Sequence, residues 1–106
     1  MDEEVLINIK KLCDENSIIW SQHVATRCLQ RGIKTNDIEN CILSGEIIEK
    51  YPYDYPYCSY LILGLTIKNQ YLHVICGIGD NKLWVITAYF PSLDKWEPDF
   101  KKRKEQ

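Results

Sequence analysis

One short segment of the chain predicts a row of three side chains that can handle a phosphodiester. His23, Arg27 and Arg31 are spaced four residues apart, so on a helix they are surface neighbours. An imidazole can take up and release a proton near neutral pH, and guanidinium groups bind phosphate oxygens through a planar fork. The row therefore favours phosphodiester chemistry without a metal. The alternative is an ordinary solvated helix face with a structural histidine.

The helical angles also predict where this row lies. At about 100° per residue, it borders an apolar arc on the same helix, which places it at the rim of a packed face, where a cleft can form. The arc consists of Val24, Ala25, Cys28 and Leu29.

Length and composition predict one ordinary globular domain spanning residues 1–106. The sequence has no run of about 18 apolar residues and no basic segment at its start, so we expect a cytoplasmic protein that does not bind membranes. The five cysteines are odd in number and widely spaced, and they form no Cys-x-x-Cys motif. We expect them to be small apolar fillers rather than disulfides or zinc ligands.

The charge is distributed unevenly. A net charge of -2 and a pI near 5.6 argue against a protein that coats nucleic acid through bulk electrostatics. Residues 17–34 nevertheless carry three cations and no carboxylate, and a second basic run covers Lys101–Lys104. The first cluster predicts a local basic site. The second is typical of a solvated, partly disordered tail.

Periodicity predicts helices before strands. Apolar spacing indicates helices over residues 2–15, 21–31 and 35–44, with Ser21 as a cap and Gly32 at a stop position. Strand-like segments follow at 46–51, 60–67, 71–78 and 83–90, and the last three are separated by hairpin-length connections. We therefore expect an α+β domain in which helices cover one face of a four-stranded antiparallel sheet.

Alternation along the last two strands predicts which side chains share a sheet face. His73 should share the less apolar face with Thr87 and Tyr89, and the same alternation groups Leu83 and Val85 with that pair. The alternative is that all of these are ordinary packing residues of a sheet.

Several segments in order resemble a known bacterial family. They are His23–Ile33, Asp37–Ile38, Gly45–Tyr51, Gly64, Leu72–Val74, Ile86–Pro91 and Trp96. The family is known mainly as a domain of unknown function, and it is similar to the RelE-like ribonuclease toxins of the barnase–EndoU–colicin–RelE superfamily. The resemblance covers about residues 18–103 and implies a RelE-like toxin fold. It also implies a small antitoxin partner, often of the zinc-ribbon type.

Together, these features predict a metal-independent endoribonuclease toxin that cleaves RNA by attack of its 2′-hydroxyl, without a cofactor. His23 or His73 would act as base or acid, and Arg27 and Arg31 would bind the phosphate. Thr87 and Tyr89 would orient the phosphate or assist proton transfer. The residues expected to contact RNA are Tyr51, Tyr53, Tyr55, Lys95 and Trp96. The main alternative is a non-catalytic protein-binding module of the same fold. A metal hydrolase is disfavoured because the His, Asp and Glu residues lack ligand spacing.

Overall fold

A computed structural model describes residues 2–105, which form three helices and five strands in an α+β arrangement. The helices are α1 (Asp2–Asp14), α2 (Gln22–Gln30) and α3 (Thr35–Ser44). The strands are β1 (Ile18–Trp20), β2 (Glu46–Tyr51), β3 (Ser59–Leu65), β4 (Tyr71–Gly79) and β5 (Lys82–Tyr89). The predicted helices and four predicted strands are thus present, with boundaries shifted by at most two residues.

The sheet has five strands in the order β1-β5-β4-β3-β2. β2 to β5 form the expected antiparallel meander, but β1 pairs in parallel with Leu83–Val85 at the start of β5. The expectation of a four-stranded, purely antiparallel sheet is therefore wrong. A strand of three residues is too short to show alternation in the sequence, which is why β1 was not predicted.

The helices pack on one face of the sheet and enclose the main apolar core. Ile9 of α1, Ile38 of α3 and Val74 of β4 are fully buried there. α3 approaches β3 so closely that a Cβ atom at Gly64 would overlap the backbone of Cys41. Glycine at this position therefore permits the close packing of helix on strand.

The opposite face of the sheet carries the polar residues, as the alternation predicted. Tyr89 pairs with His73, and Thr87 pairs with Ile75. The adjacent β4 residues Ile75 and Cys76 pair with Thr87 and Val85, so a β-bulge leaves Ile86 without a partner in β4. The extra residue moves the side chains that precede the bulge to the other face of the sheet. The predicted grouping of Leu83 and Val85 with Thr87 and Tyr89 is therefore wrong. Leu83 and Val85 instead belong to the helix-covered core.

Residues 91–105 cross this second face, and we refer to them as the C-terminal segment. Trp96 and Arg103 form a bridge within it, and Trp96 is buried. Lys101 lies 3.3 Å from a carboxylate oxygen of Glu46, and Arg103 forms an ion pair with Glu49. The basic run is exposed, as expected of a solvated segment, but the expectation of a partly disordered tail is wrong, since carboxylates of β2 bind Lys101 and Arg103.

Four of the five cysteines are buried free thiols, as expected of apolar fillers, whereas Cys58 is exposed. Burial raises the pKa of Cys13 to about 11 and the pKa of Cys41 and Cys76 to about 12. No helix within residues 2–105 is long and apolar enough to cross a membrane.

Candidate functional site

The basic row lies on the outer side of α2. The Ser21 hydroxyl accepts a hydrogen bond from the Val24 amide at 3.0 Å, so Ser21 caps the helix as predicted. Val24 is buried against the core, whereas His23 and Arg27 are exposed. Leu29 is 70% exposed, so the apolar arc is narrower than its sequence indicates. The first two members of the row therefore face solvent and can reach a ligand.

Arg31 ends the row and connects it to the sheet. Its Nη1 atom donates to the carbonyl of Ala88 at 2.7 Å and lies 3.4 Å from the hydroxyl oxygen of Thr87. The pairing of β1 covers β5 only over Leu83–Val85, so the Ala88 carbonyl lies beyond the end of that ladder. Arg31 thus satisfies a carbonyl at the sheet edge and brings the row beside the polar end of β5.

His73 is fully buried beneath the C-terminal segment and uses both of its ring nitrogens. Nε2 lies 2.8 Å from the carbonyl oxygen of Phe100, and Nδ1 lies 3.2 Å from the Tyr89 hydroxyl. A carbonyl can only accept, so Nε2 carries the proton and donates it to Phe100. Burial lowers the pKa of His73, which favours the neutral ring, and Nδ1 then accepts from Tyr89. Direct contact between His73 and RNA would require displacement of the C-terminal segment.

Aromatic and charged groups hold that segment over His73. The Trp96 ring meets the His73 ring edge-on, with 4.5 Å between centroids, and the Arg103 guanidinium carbon lies 4.7 Å from the Trp96 ring centroid. Arg103 also donates two hydrogen bonds to Glu49, at 2.9 and 3.0 Å. Trp96 is 2% exposed, so it can stack on a base only if the segment moves.

The Glu49 carboxylate joins β2 to the same cluster. Hydrogen bonding from Arg103 lowers the pKa of Glu49, and Glu49 in turn accepts from the Tyr51 hydroxyl at 2.5 Å. Burial and the adjacent carboxylate raise the pKa of Tyr51 to about 12. Tyr51 is thus a half-buried partner of Glu49, and its hydroxyl is already engaged.

The other predicted RNA-contact residues are exposed. Tyr53 and Tyr55 are 96% and 95% exposed, and Lys95 is also exposed. Residues 52–58, which we refer to as the aromatic loop, carry both tyrosines. Tyr55, but not Tyr53, lines a groove of about 670 Å³ at the start of α2. This volume lies within the range of small-molecule sites, about 300–1,000 Å³.

Three parts of the fold enclose this groove, which we refer to as the α2 groove. The junction of β1 and α2 contributes Ile19, Ser21 and Val24. The sheet contributes Gly77, Trp84, Val85 and Ile86, and the aromatic loop contributes Asp54, Tyr55, Pro56 and Tyr57. The groove therefore lies at the N-terminal end of the basic row.

The predicted catalytic residues thus fall into two neighbouring groups. His23, Arg27 and Arg31 lie along α2, and Arg31 reaches Thr87. Thr87 and Tyr89 are two residues apart on one face of β5, and Tyr89 reaches His73. The first group is open to solvent. In the second group His73 is buried beneath the C-terminal segment, whereas Thr87 and Tyr89 are half-buried.

The sequence interpretation missed three members of this region: Glu49, Asp54 and Arg103. Arg103 lies within the basic run, and Glu49 lies within the acidic β2 segment, so opposite charge was the available signal. A pairing across 54 residues nevertheless depends on the sheet register. Asp54 gave no signal beyond its place in an aromatic segment.

Within residues 2–105, no group of three His, Cys, Asp or Glu side chains is arranged to hold a metal ion.

Comparison with known protein families identifies one for this chain. The sequence model of a domain of unknown function, DUF4258, matches residues 20–90, and the chain therefore belongs to that family. The match begins at the last residue of β1 and ends just after β5, so it includes the basic row, His73, Thr87 and Tyr89. Comparisons with curated proteins and with solved structures give no significant match.

Proposed function

We propose that this member of the DUF4258 family is a metal-independent endoribonuclease with a RelE-like toxin fold. The contact of Arg31 with Thr87 is the observation that carries the proposal, because it joins the exposed cations of α2 to the polar end of β5. An RNA strand along the outer side of α2 would meet imidazole, guanidinium and hydroxyl groups in turn. These are the group types that a phosphodiester transesterification needs.

In the proposed reaction the nucleophile is the 2′-hydroxyl of the RNA. His23 accepts its proton as the oxygen attacks phosphorus, and the bond from phosphorus to the 5′-oxygen then breaks. The departing 5′-oxygen takes a proton from solvent, so the products are a cyclic phosphate and a 5′-hydroxyl. Arg27 binds the scissile phosphate, and its charge and planar fork stabilise the negative charge that develops there.

In this scheme, the role of orienting the RNA without transferring a proton falls to Arg31, Thr87 and Tyr89. Arg31 binds the Ala88 carbonyl and keeps further donors near Thr87, where they can orient an adjacent phosphate. Tyr89 is fixed by His73, whose ring nitrogens are both engaged. We therefore assign proton transfer to His23 rather than His73, and we treat His73 as a positioning residue.

The resemblance to RelE-like toxins supports a biological role as the toxin of a toxin–antitoxin pair in the bacterial cytoplasm. The resemblance implies a small antitoxin as the partner, often of the zinc-ribbon type.

The test is RNA cleavage by the purified chain, together with growth arrest when the chain is produced in bacteria. We expect His23→Ala to abolish both effects while the protein stays folded. Gln30→Ala, an exposed change on the same helix, should leave both intact. Equal cleavage by wild type and a folded His23→Ala variant would remove His23 from the mechanism. Neither cleavage nor arrest with the wild type would favour the non-catalytic binding module.

A further inference from the structure

The α2 groove combines aromatic walls with a carboxylate. Tyr55 and Tyr57 of the aromatic loop and Trp84 of β5 line it, and Asp54 is also a lining residue. None of its lining residues is a lysine or arginine. A phosphate therefore finds no cation inside the groove, whereas a flat, uncharged ring with hydrogen-bond donors matches its chemistry.

Two of the aromatic residues are held firmly in place. The Tyr57 ring lies against Gly79, where any Cβ atom would overlap it, and its centroid is 5.8 Å from that of Trp84. The Trp84 indole nitrogen donates to the carbonyl of Gly79 at 2.8 Å. The groove wall is thus preformed, which lowers the entropic cost of binding. Tyr55 is 95% exposed, so its ring is accessible to a base bound against that wall.

Asp54 is positioned by a buried partner. The hydroxyl of Ser59, a fully buried residue at the start of β3, donates a hydrogen bond to Oδ2 of Asp54. The Asp54 amide also donates to the carbonyl of Tyr51 at 3.2 Å. A carboxylate has two oxygens and accepts about four hydrogen bonds, so the Ser59 bond leaves it able to accept more.

The location of the groove indicates what the bound ring belongs to. Ser21 and Val24 line the groove, and the row from His23 to Arg31 starts beside them. With a rise of about 1.5 Å per residue, this row extends roughly 12 Å along α2. A single-stranded nucleic acid has this complementary pattern, since a neutral base is followed by phosphates that would meet the cations.

We propose that the α2 groove binds one guanine base of single-stranded RNA, adjacent to the phosphate held by Arg27. Guanine presents two neighbouring donors, N1–H and the 2-amino group, and a carboxylate can accept both. The other three bases place an acceptor beside each donor on that edge, and Asp54 would repel it. Stacking against Tyr55 would add affinity for any base, whereas Asp54 would supply the preference. This inference deepens the proposed nuclease function.

The test measures binding apart from cleavage. Four pentanucleotides with 2′-O-methyl groups throughout, identical except for G, A, C or U at the centre, cannot undergo attack by a 2′-hydroxyl. Their affinity for the full chain is measured by fluorescence anisotropy. We expect the guanine oligonucleotide to bind at least about tenfold more tightly than the others. Equal affinities for all four oligonucleotides, or no binding of any of them, would overturn the proposal.

Variants separate the two contributions. Asp54→Asn should reduce the guanine preference to about twofold or less, because the amide replaces one acceptor with a donor. Tyr55→Ala should weaken all four oligonucleotides by about tenfold. Tyr71→Ala is the control, since Tyr71 is 50% exposed, lies outside the groove and is not among the predicted RNA contacts. Equal effects of the two tyrosine changes would contradict a role for Tyr55.

The same oligonucleotides distinguish this inference from the nuclease proposal. Guanine-selective binding without cleavage of unmodified RNA would support the guanine site in the groove and contradict the nuclease function. Cleavage with no base preference and no effect of Asp54→Asn would support the nuclease function and contradict the guanine site. Circular dichroism of each variant checks that the Asp54 change has not unfolded the aromatic loop's supporting strands.

Discussion

The Nδ1 atom of His73 lies 3.2 Å from the hydroxyl oxygen of Tyr89, across the pairing of β4 with β5. With Nε2 donating to the Phe100 carbonyl, this contact fixes one neutral tautomer of the ring. One buried histidine therefore links the end of β5 to the C-terminal segment. Its protonation state couples the stability of this region to pH.

The first prediction concerns the pH dependence of unfolding. Burial lowers the pKa of His73 in the folded protein, so the unfolded chain binds more protons between that value and about 6.5. The free energy of unfolding should therefore fall as the pH drops below about 6.5, because the unfolded state is stabilised by protonation. Denaturant titrations between pH 8 and pH 5 measure this slope.

Substitutions at the two histidines assign the slope to one of them. His73→Phe keeps an aromatic ring but leaves the Tyr89 hydroxyl and the Phe100 carbonyl without their partner, which should cost about 1–3 kcal/mol. His73→Phe should also remove the dependence of the free energy of unfolding on pH that His73 causes, whereas His23→Gln should retain that dependence. An unchanged slope in His73→Phe would show that another group titrates.

A second prediction tests what holds the C-terminal segment. Glu49→Gln removes the charge that Arg103 contacts through two hydrogen bonds, so amide exchange in residues 91–105 should accelerate. Because Arg103 is largely exposed, solvent screening limits the expected loss of stability to about 1 kcal/mol. Glu46→Gln is the control, since the pair of Glu46 with Lys101 is exposed on both sides.

The same ion pair predicts behaviour in acid. Arg103 lowers the pKa of Glu49, so the pair contributes stability above the unfolded carboxyl value near 4.5. That contribution is lost as the pH falls through the lower folded value. Exchange in the C-terminal segment that is equally slow in wild type and Glu49→Gln would show that the Trp96 contacts hold the segment alone.

A third prediction distinguishes the two arginines of the row. Arg27→Lys should leave the free energy of unfolding within about 0.5 kcal/mol, because Arg27 is an exposed surface residue. It should nevertheless reduce RNA cleavage at least about tenfold, since an ammonium group cannot bind phosphate through a planar fork.

Arg31→Lys should differ by reducing stability as well as cleavage. Nη1 of Arg31 lies near both Ala88 and Thr87, and an ammonium group on a shorter side chain cannot reproduce that geometry. Thermal unfolding and cleavage assays on both variants make the comparison. Full activity in a folded Arg27→Lys protein would assign Arg27 to an ordinary solvated surface.

The sequence predicted those parts of the fold that depend on local periodicity. The three helices, the Ser21 cap and the meander of four strands follow from apolar spacing and short connections. Alternation also placed His73, Thr87 and Tyr89 on one face. The bulge at Ile86 and the parallel strand β1 depend on backbone pairing between distant segments, which leaves no periodic signal.

The candidate site was predictable to a similar extent. The row on α2 could be identified because its members are four residues apart. The burial of His73 could not, because the C-terminal segment that covers it is attached through Glu49 and Arg103, which are far apart in the chain. Asp54 was missed for a different reason, since its partner Ser59 is only five residues away but the loop that brings them together has no periodic signal.

The last prediction tests the reaction class rather than a single residue. In the proposed transesterification the nucleophile belongs to the RNA, so hydrogen in place of the 2′-hydroxyl at the cleaved position should abolish cutting. Excess chelator should leave cleavage unchanged, because His23 and Arg27 supply the proton transfer and the charge stabilisation. Hydrolysis assisted by a metal ion predicts the opposite pair of results, since the ion would activate water.

Gel analysis of matched ribose and single-deoxy substrates, with and without chelator, provides the comparison. A folded His23→Ala preparation controls for contaminating nucleases. Chelator-sensitive cutting of the deoxy substrate, absent from that control, would overturn the proposed mechanism.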